Sequence, residues 1–103
     1  MILYSTDASF NVDISGVLPV LVVFVAEWCG PCRILSPIID EVEKEYSDQL
    51  TIVKVDIDKC LSIPSKYNVR GVPTCILMQD SKELSRAIGS VKANLINMLN
   101  KKL

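Results

Sequence analysis

The residues able to carry reactive chemistry in this chain are its four cysteines, Cys29, Cys32, Cys60 and Cys75; there is no histidine. Cys29 and Cys32 are separated only by Gly30-Pro31, within Trp28-Cys29-Gly30-Pro31-Cys32. The thiolate, not the thiol, is the nucleophile and the metal ligand. A close cysteine pair therefore suits either thiol–disulfide exchange or half of a zinc site. A structural zinc takes four ligands. Without histidine, and with Cys60 and Cys75 forming no second close pair, the residues favour redox chemistry and no metal.

That chemistry needs a cysteine that ionises near neutral pH. Cys29 follows an apolar run and stands where a long helix is predicted to begin, so backbone N–H groups of partial positive charge point at it. A free thiol titrates near about 8.5, and cysteines placed at helix N-termini or beside cations fall to roughly 3.5–7.5. Cys32 lies about one helical turn further on, which brings the two sulfurs face to face. Attack by Cys29 on a disulfide, followed by attack of Cys32 on the resulting mixed disulfide, is the expected cycle. Gly30 allows close approach of a substrate chain, and Pro31 fits a first helical turn, where its missing N–H is not needed.

The elements that must hold this pair are legible from periodicity. Val20 to Val25 is a continuous β-branched and aromatic run, as in a strand buried on both faces. In the helix that follows, Leu35, Ile38, Ile39, Val42 and Tyr46 recur at helical spacing, with Asp40, Glu41, Glu43, Lys44 and Glu45 mainly opposite. Pro37 should kink it, and Ser47-Asp48 reads as a turn. Ile2 to Tyr4 reads as a short edge strand, and Ala8 to Ile14 as a short helix capped by Thr6 and stopped at Gly16. Thr51 to Ile57 is the next predicted strand, and Cys60 to Tyr67 a short helix made irregular by Pro64. Thr74 to Met78 and Leu84 to Ile88 read as a hairpin joined by Gln79-Asp80-Ser81-Lys82. Val91 to Leu99 closes the chain as a helix with Leu95, Ile96 and Leu99 inward. This order implies a central mixed sheet with helices on both faces.

Composition sets the outer limits. The 103 residues suit one domain, residues 1–103, and half of them are hydrophobic, enough for a core without disulfide staples. A net charge of -1 gives no electrostatic reason to expect nucleic acid or an anionic membrane as partner. The most apolar run, Val17 to Ala26, contains Pro19 and is well short of the ~20 residues of a membrane span. No basic start followed by an apolar stretch is seen, so the cytoplasm is the expected compartment.

Ala26-Glu27-Trp28-Cys29-Gly30-Pro31-Cys32, Val55-Asp56-Ile57-Asp58, Arg70-Gly71-Val72-Pro73-Thr74 and Gly89 together resemble the hallmark segments of the thioredoxin family, over nearly the whole chain. The resemblance implies an α/β thioredoxin fold, a central five-stranded mixed sheet flanked by four helices. It implies a cis bond before Pro73, with the Val72 backbone pairing to an extended substrate. The docking groove would be Trp28, Gly30, Pro31, Val72, Pro73, Ile88, Gly89 and Ser90, with Trp28 a half-exposed lid. The implied activity is protein-disulfide reduction by a monomer with no bound cofactor, cycling a Cys29–Cys32 disulfide. Its implied partners are disulfide-containing client proteins and a thioredoxin reductase drawing on NADPH. Gly-Pro between the cysteines resembles reducing members. An oxidase or isomerase is the alternative enzyme, and a redox-inactive binding subunit the alternative of another class.

The chain also departs from the family. Val23 stands where members carry a buried aspartate thought to help Cys32 lose its proton, and Val25 replaces a common aromatic. Lys54 aligns with the lysine that pairs with that acid, and is left either to snorkel to water, to pair with Asp56, Asp58 or Glu27, or to lie exposed on its strand. Cys60, near the start of a short helix, is a candidate regulatory thiol; Cys75 reads as a buried core residue.

Overall fold

In the computed structural model, which describes residues 2–103, the chain forms β1 (Ile2–Tyr4), α1 (Phe10–Asp13), β2 (Val20–Val25), α2 (Gly30–Tyr46), β3 (Thr51–Asp56), α3 (Ser62–Lys66), β4 (Thr74–Gln79), β5 (Lys82–Ile88) and α4 (Lys92–Lys102), in that order. The strands make one five-stranded sheet ordered β1-β3-β2-β4-β5. β1 and β2 pair parallel with β3, whereas β4 pairs antiparallel with β2 and β5. This is the mixed sheet with four helices that the sequence implied.

β2 is the central strand because both of its faces are apolar. Leu21 and Val23 pack with Leu35, Ile39 and Val42 of α2 and with Leu95 and Leu99 of α4. Val20, Val22 and Phe24 pack on the opposite face with Phe10 of α1 and Ile63 of α3. Side chains alternate across a strand, so a strand apolar at every position is stable only with helices on both sides. Each large apolar side chain fully buried in this way contributes about 1.5–3 kcal/mol.

α2 has the predicted face inward, with Leu35, Ile39 and Val42 buried. It continues through Pro37, whose missing N–H leaves the Arg33 carbonyl without its usual helical partner. In α4 the inward positions are Leu95, Met98 and Leu99. Met98, not the predicted Ile96, fills the third place; Ile96 is half-buried at the rim of the cluster.

Three further expectations are revised. The first helix is a single turn, Phe10–Asp13, shorter than Ala8–Ile14. Its N-cap is Ser9 and not the expected Thr6, which lies in the turn before it, where its Oγ1 accepts from the Ser9 N–H at 3.0 Å and its carbonyl from the Phe10 N–H at 3.0 Å. The helix expected from Cys60 to Tyr67 contracts to Ser62–Lys66. Its entry is capped from far away, since the N–H groups of Leu61, Ser62 and Ile63 all donate to the Asp7 carboxylate at 3.0–3.3 Å. The hairpin loop is two residues, Asp80 and Ser81, both with positive φ (54° and 63°), as a type I′ turn requires. Gln79 and Lys82, read as loop from sequence, are paired in the ladder.

Candidate active site

The site begins where β2 ends. The chain leaves the sheet through Ala26, whose carbonyl accepts the Cys29 N–H at 3.2 Å. Cys29 is the N-cap of α2, with extended backbone (φ -88°, ψ 111°), and Pro31 occupies the first turn. The Cys29 Sγ takes the place of a capping oxygen: the Cys32 N–H donates to it at 3.1 Å. Cys29 and Cys32 are joined as a disulfide, their Cα atoms 5.3 Å apart. The pair lies at the positive end of a 17-residue helix, where negative charge on sulfur is stabilised.

A second segment meets the pair from across the sheet. The Cys29 Sγ is 3.6 Å from the Val72 carbonyl oxygen, and the Val72–Pro73 peptide is cis. Thr74 Oγ1 donates to the Gly71 carbonyl at 2.8 Å, closing the loop that carries Pro73. The Gly89 N–H donates to the Pro73 carbonyl at 2.9 Å, tying the end of β5 to the same loop. Gly89 has φ +95°, a backbone state that a side chain at Cβ would strain; no neighbour lies within 4 Å of where that Cβ would be.

Both cysteines are buried, 3% and 6% exposed, while Trp28, next to Cys29 in the chain, and Ile88, paired with Thr74 at the end of β5, are 67% and 68% exposed. The structure thus sets the Val72 carbonyl at Cys29, with Gly89 tied to the adjoining Pro73. Trp28 is held by a contact that the sequence reading did not anticipate. Its Nε1–H donates to Asp58 Oδ2 at 2.8 Å, and the Asp58 N–H donates in turn to Asp56 Oδ1 at 2.9 Å. The available signal was the acidic pair in Val55-Asp56-Ile57-Asp58, directly after the strand parallel to β2.

Lys54 is neither exposed nor ion-paired. It is 9% exposed, and no carboxylate among the described residues lies within ion-pair distance of it. Its Nζ sits 5.6 Å from the centroid of the Tyr4 ring. In register it neighbours Val23, which offers no charge. Glu27, one of its expected partners, is instead 3.7 Å from Lys59.

Cys60 does not have the expected activated character. It is 1% exposed, precedes a helix of only five residues, and its Sγ donates to the Ser5 carbonyl at 3.3 Å. Burial first, then the negative charges of Asp7 and Asp56, push its pKa up. A short helix start cannot offset two nearby carboxylates. Cys75 is buried within the α2–α4 core, and burial pushes its pKa to about 12. Among the described residues no group of three or more His, Cys, Asp or Glu is placed to hold a metal ion. No helix there is long and apolar enough to cross a membrane.

A vicinal cysteine pair capping a helix, with the other two thiols held neutral in the core, defines a thiol–disulfide oxidoreductase. The sequence matches the thioredoxin family model over residues 1–101. It is 42% identical to thioredoxin 1 of Synechococcus elongatus over 95% of this chain and 94% of that protein. It is 43% identical to a thioredoxin of Rickettsia typhi over 95% of both chains, and 40% identical to the chloroplastic M-type thioredoxin of Chlamydomonas reinhardtii over 94% of this chain and 70% of that one. The chain belongs to the thioredoxin family. Its activity is protein-disulfide reduction through a redox-active cysteine pair.

Proposed function

We propose that Cys29 is the attacking thiolate and Cys32 the resolving thiol of a reductase cycle. The observation that carries this assignment is the 3.1 Å bond from the Cys32 N–H to the Cys29 Sγ at the N-terminus of α2. That donor favours negative charge on Cys29. In the cycle, the Cys29 thiolate bonds to one sulfur of a client disulfide and the other client sulfur leaves as a thiolate. Cys32 then gives up its proton and bonds to the Cys29 Sγ, and the second client sulfur leaves. Two electrons pass from the cysteine pair to the client, and the pair becomes the disulfide.

Clients dock along Trp28, Gly30, Pro31, Val72, Pro73, Ile88, Gly89 and Ser90. The exposure of Trp28 and Ile88 supports this reading, as does the nearness of the Val72 carbonyl to Cys29. A Cβ on Gly30 would meet nothing within the protein, so a need for glycine there comes from what approaches from outside. A thioredoxin reductase drawing electrons from NADPH restores the dithiol. Residues 1–103 act as one monomeric domain. The cytoplasm, where thiol pools keep such a pair reduced, is the compartment that suits this direction of electron flow.

The test is reduction of a disulfide-bonded protein by the dithiol form, alone and then with thioredoxin reductase and NADPH. We expect stoichiometric reduction in the first case and continuous NADPH oxidation in the second. Failure of the dithiol form to reduce the client overturns the cycle. Stoichiometric reduction without NADPH turnover overturns only the electron source.

A further inference from the structure

We infer that the cleft bordered by Cys32 is a binding site for a small monocarboxylate, with Lys54 as its counter-charge. The cleft has a volume of about 560 Å³, within the range of roughly 300–1,000 Å³ typical of small-molecule sites. Val23, Val25, Leu35 and Ile39 give it apolar walls, and Lys54 lines it from β3.

The charge on Lys54 is what specifies the ligand. A buried cation is unfavourable unless it is paired. Each of the other charged groups lining the cleft has a contact of its own, to a charge or to the backbone. The Asp56 carboxylate accepts the Asp58 N–H at 2.9 Å, and Glu27 lies 3.7 Å from Lys59. Arg33 donates to the Glu27 carbonyl at 3.3 Å. Lys54 keeps only the face of Tyr4, an edge residue that is itself 72% exposed. What is left over is a lysine nine-tenths buried as a residue, whose ammonium reaches solvent with no ion partner among the described residues and with an aliphatic wall beside it. A single carboxylate on a short alkyl chain complements both features: the carboxylate meets the ammonium, and the tail covers Val23, Val25 and Ile39. A short dianion lying along the same wall would set its second charge on hydrocarbon. Inorganic phosphate would leave the apolar wall uncovered.

The experiment is a titration of the oxidised protein with hexanoate, followed by calorimetry and by amide and methyl NMR shifts. Hexanol, phosphate and succinate serve as comparison ligands. Saturable binding is expected, with shifts at Val23, Ile39 and Lys54 and with each comparison ligand at least about tenfold weaker. Lys54→Met should weaken hexanoate by at least about tenfold, while Lys54→Arg, which keeps the charge, should restore most of the affinity. Val23→Asp should also weaken it, because an internal carboxylate then stands beside Lys54. Hexanol binding as tightly as hexanoate, unchanged affinity in Lys54→Met of native fold, or shifts confined to the Trp28–Pro73 side would each overturn the site.

Discussion

The backbone N–H of Cys32 donates to the Cys29 Sγ across 3.1 Å, so in the proposed cycle the resolving residue would help to hold the thiolate charge of the attacking one. The relationship is not reciprocal, because Cys29 stands outside the helix as its cap and Cys32 lies inside its first turn. The two cysteines are therefore distinguishable by experiment. Cys32→Ser keeps the donor, since the bond comes from the backbone. It should accumulate a covalent adduct between Cys29 and a client, visible as an intact mass in non-reducing mass spectrometry. Cys29→Ser should form no adduct and reduce no client above background. Equal trapping by both variants would refute the assignment.

Trp28, next to Cys29 in the chain, is two-thirds exposed, yet its indole is fixed to Asp58 at 2.8 Å. Asp58→Ala frees the ring without disturbing the core. A hydrogen bond of this kind is worth about 0.5–1.5 kcal/mol, which sets an expected rise in client KM of roughly two- to tenfold. Stability should change by less than about 0.5 kcal/mol, as for a surface substitution. Tryptophan fluorescence of the variant reports the loosened ring, and an unaltered KM with an altered spectrum would show that the fixed orientation is not used in docking.

Cys60 and Cys75 are shielded for different reasons, and both should be inert in the folded protein. Cys60 is held neutral by burial and by Asp7 and Asp56, and Cys75 by burial alone. In the reduced native protein, iodoacetamide near neutral pH should label Cys29 rapidly. It should reach Cys60 and Cys75 only after denaturation, as peptide mapping will read. Because folding raises both thiol pKa values above 9.0, their contribution to stability is fully present below that pH. It is lost as the pH climbs through the folded values.

Much of this architecture was legible because its signals are local. The unbroken apolar run Val20–Val25 required a strand covered on both faces, and the spacing of Leu35, Ile39 and Val42 fixed the inner face of α2. The cysteine pair announced its own chemistry by spacing. What escaped were interactions between residues far apart in sequence. Asp7 caps the entry to α3 from 54 to 56 positions away, and Asp58 reaches Trp28 across 30. The charged environment of Cys60 is of the same kind: the short helix suggested activation, but the acids that suppress it come from the β1–α1 connection and the end of β3. Lys54 was ambiguous because a lysine in a strand is ordinarily exposed. Its burial depends on neighbours distant in sequence, Val23 and Tyr4 on the flanking strands.

The acid limit of stability should trace to two carboxylates. Asp7 is held below 3.8: burial opposes its charge, but the N–H groups of Ser62, Ile63 and Leu61 more than offset it. Glu83 is held below 4.5, first by its hydrogen bonds with Arg86, against a burial effect, and then by the guanidinium charge. A carboxyl group whose pKa is depressed by folding adds stability above its unfolded value and loses it as pH falls through the folded one. Denaturant midpoints should therefore be flat near neutrality and decline below about pH 4.5. Asp7→Asn, which keeps an acceptor but no charge, should make that decline shallower. A slope identical to that of the parent protein would remove Asp7 from the account.

Val23 and Lys54 are register neighbours on β2 and β3, and both line the cleft that Cys32 borders. Val23→Asp sets a carboxylate between the Lys54 ammonium and the resolving thiol. Two effects of opposite sign follow. Putting a charge pair where valine packs well should lower stability by about 1–4 kcal/mol, read from urea denaturation. A carboxylate within reach of Cys32 can take its proton as the mixed disulfide resolves, and a positioned base of this sort contributes about 10²–10⁴-fold at full effect. Partial alignment should still speed resolution by about tenfold, measured as decay of a preformed Cys29 mixed disulfide in stopped flow. The gain should appear in that step and not in the initial attack, because Cys29 draws its stabilisation from the α2 N-terminus and not from the cleft. An unchanged decay rate in a folded Val23→Asp variant would mean that Cys32 loses its proton by another route, for which the side chain at position 23 is irrelevant.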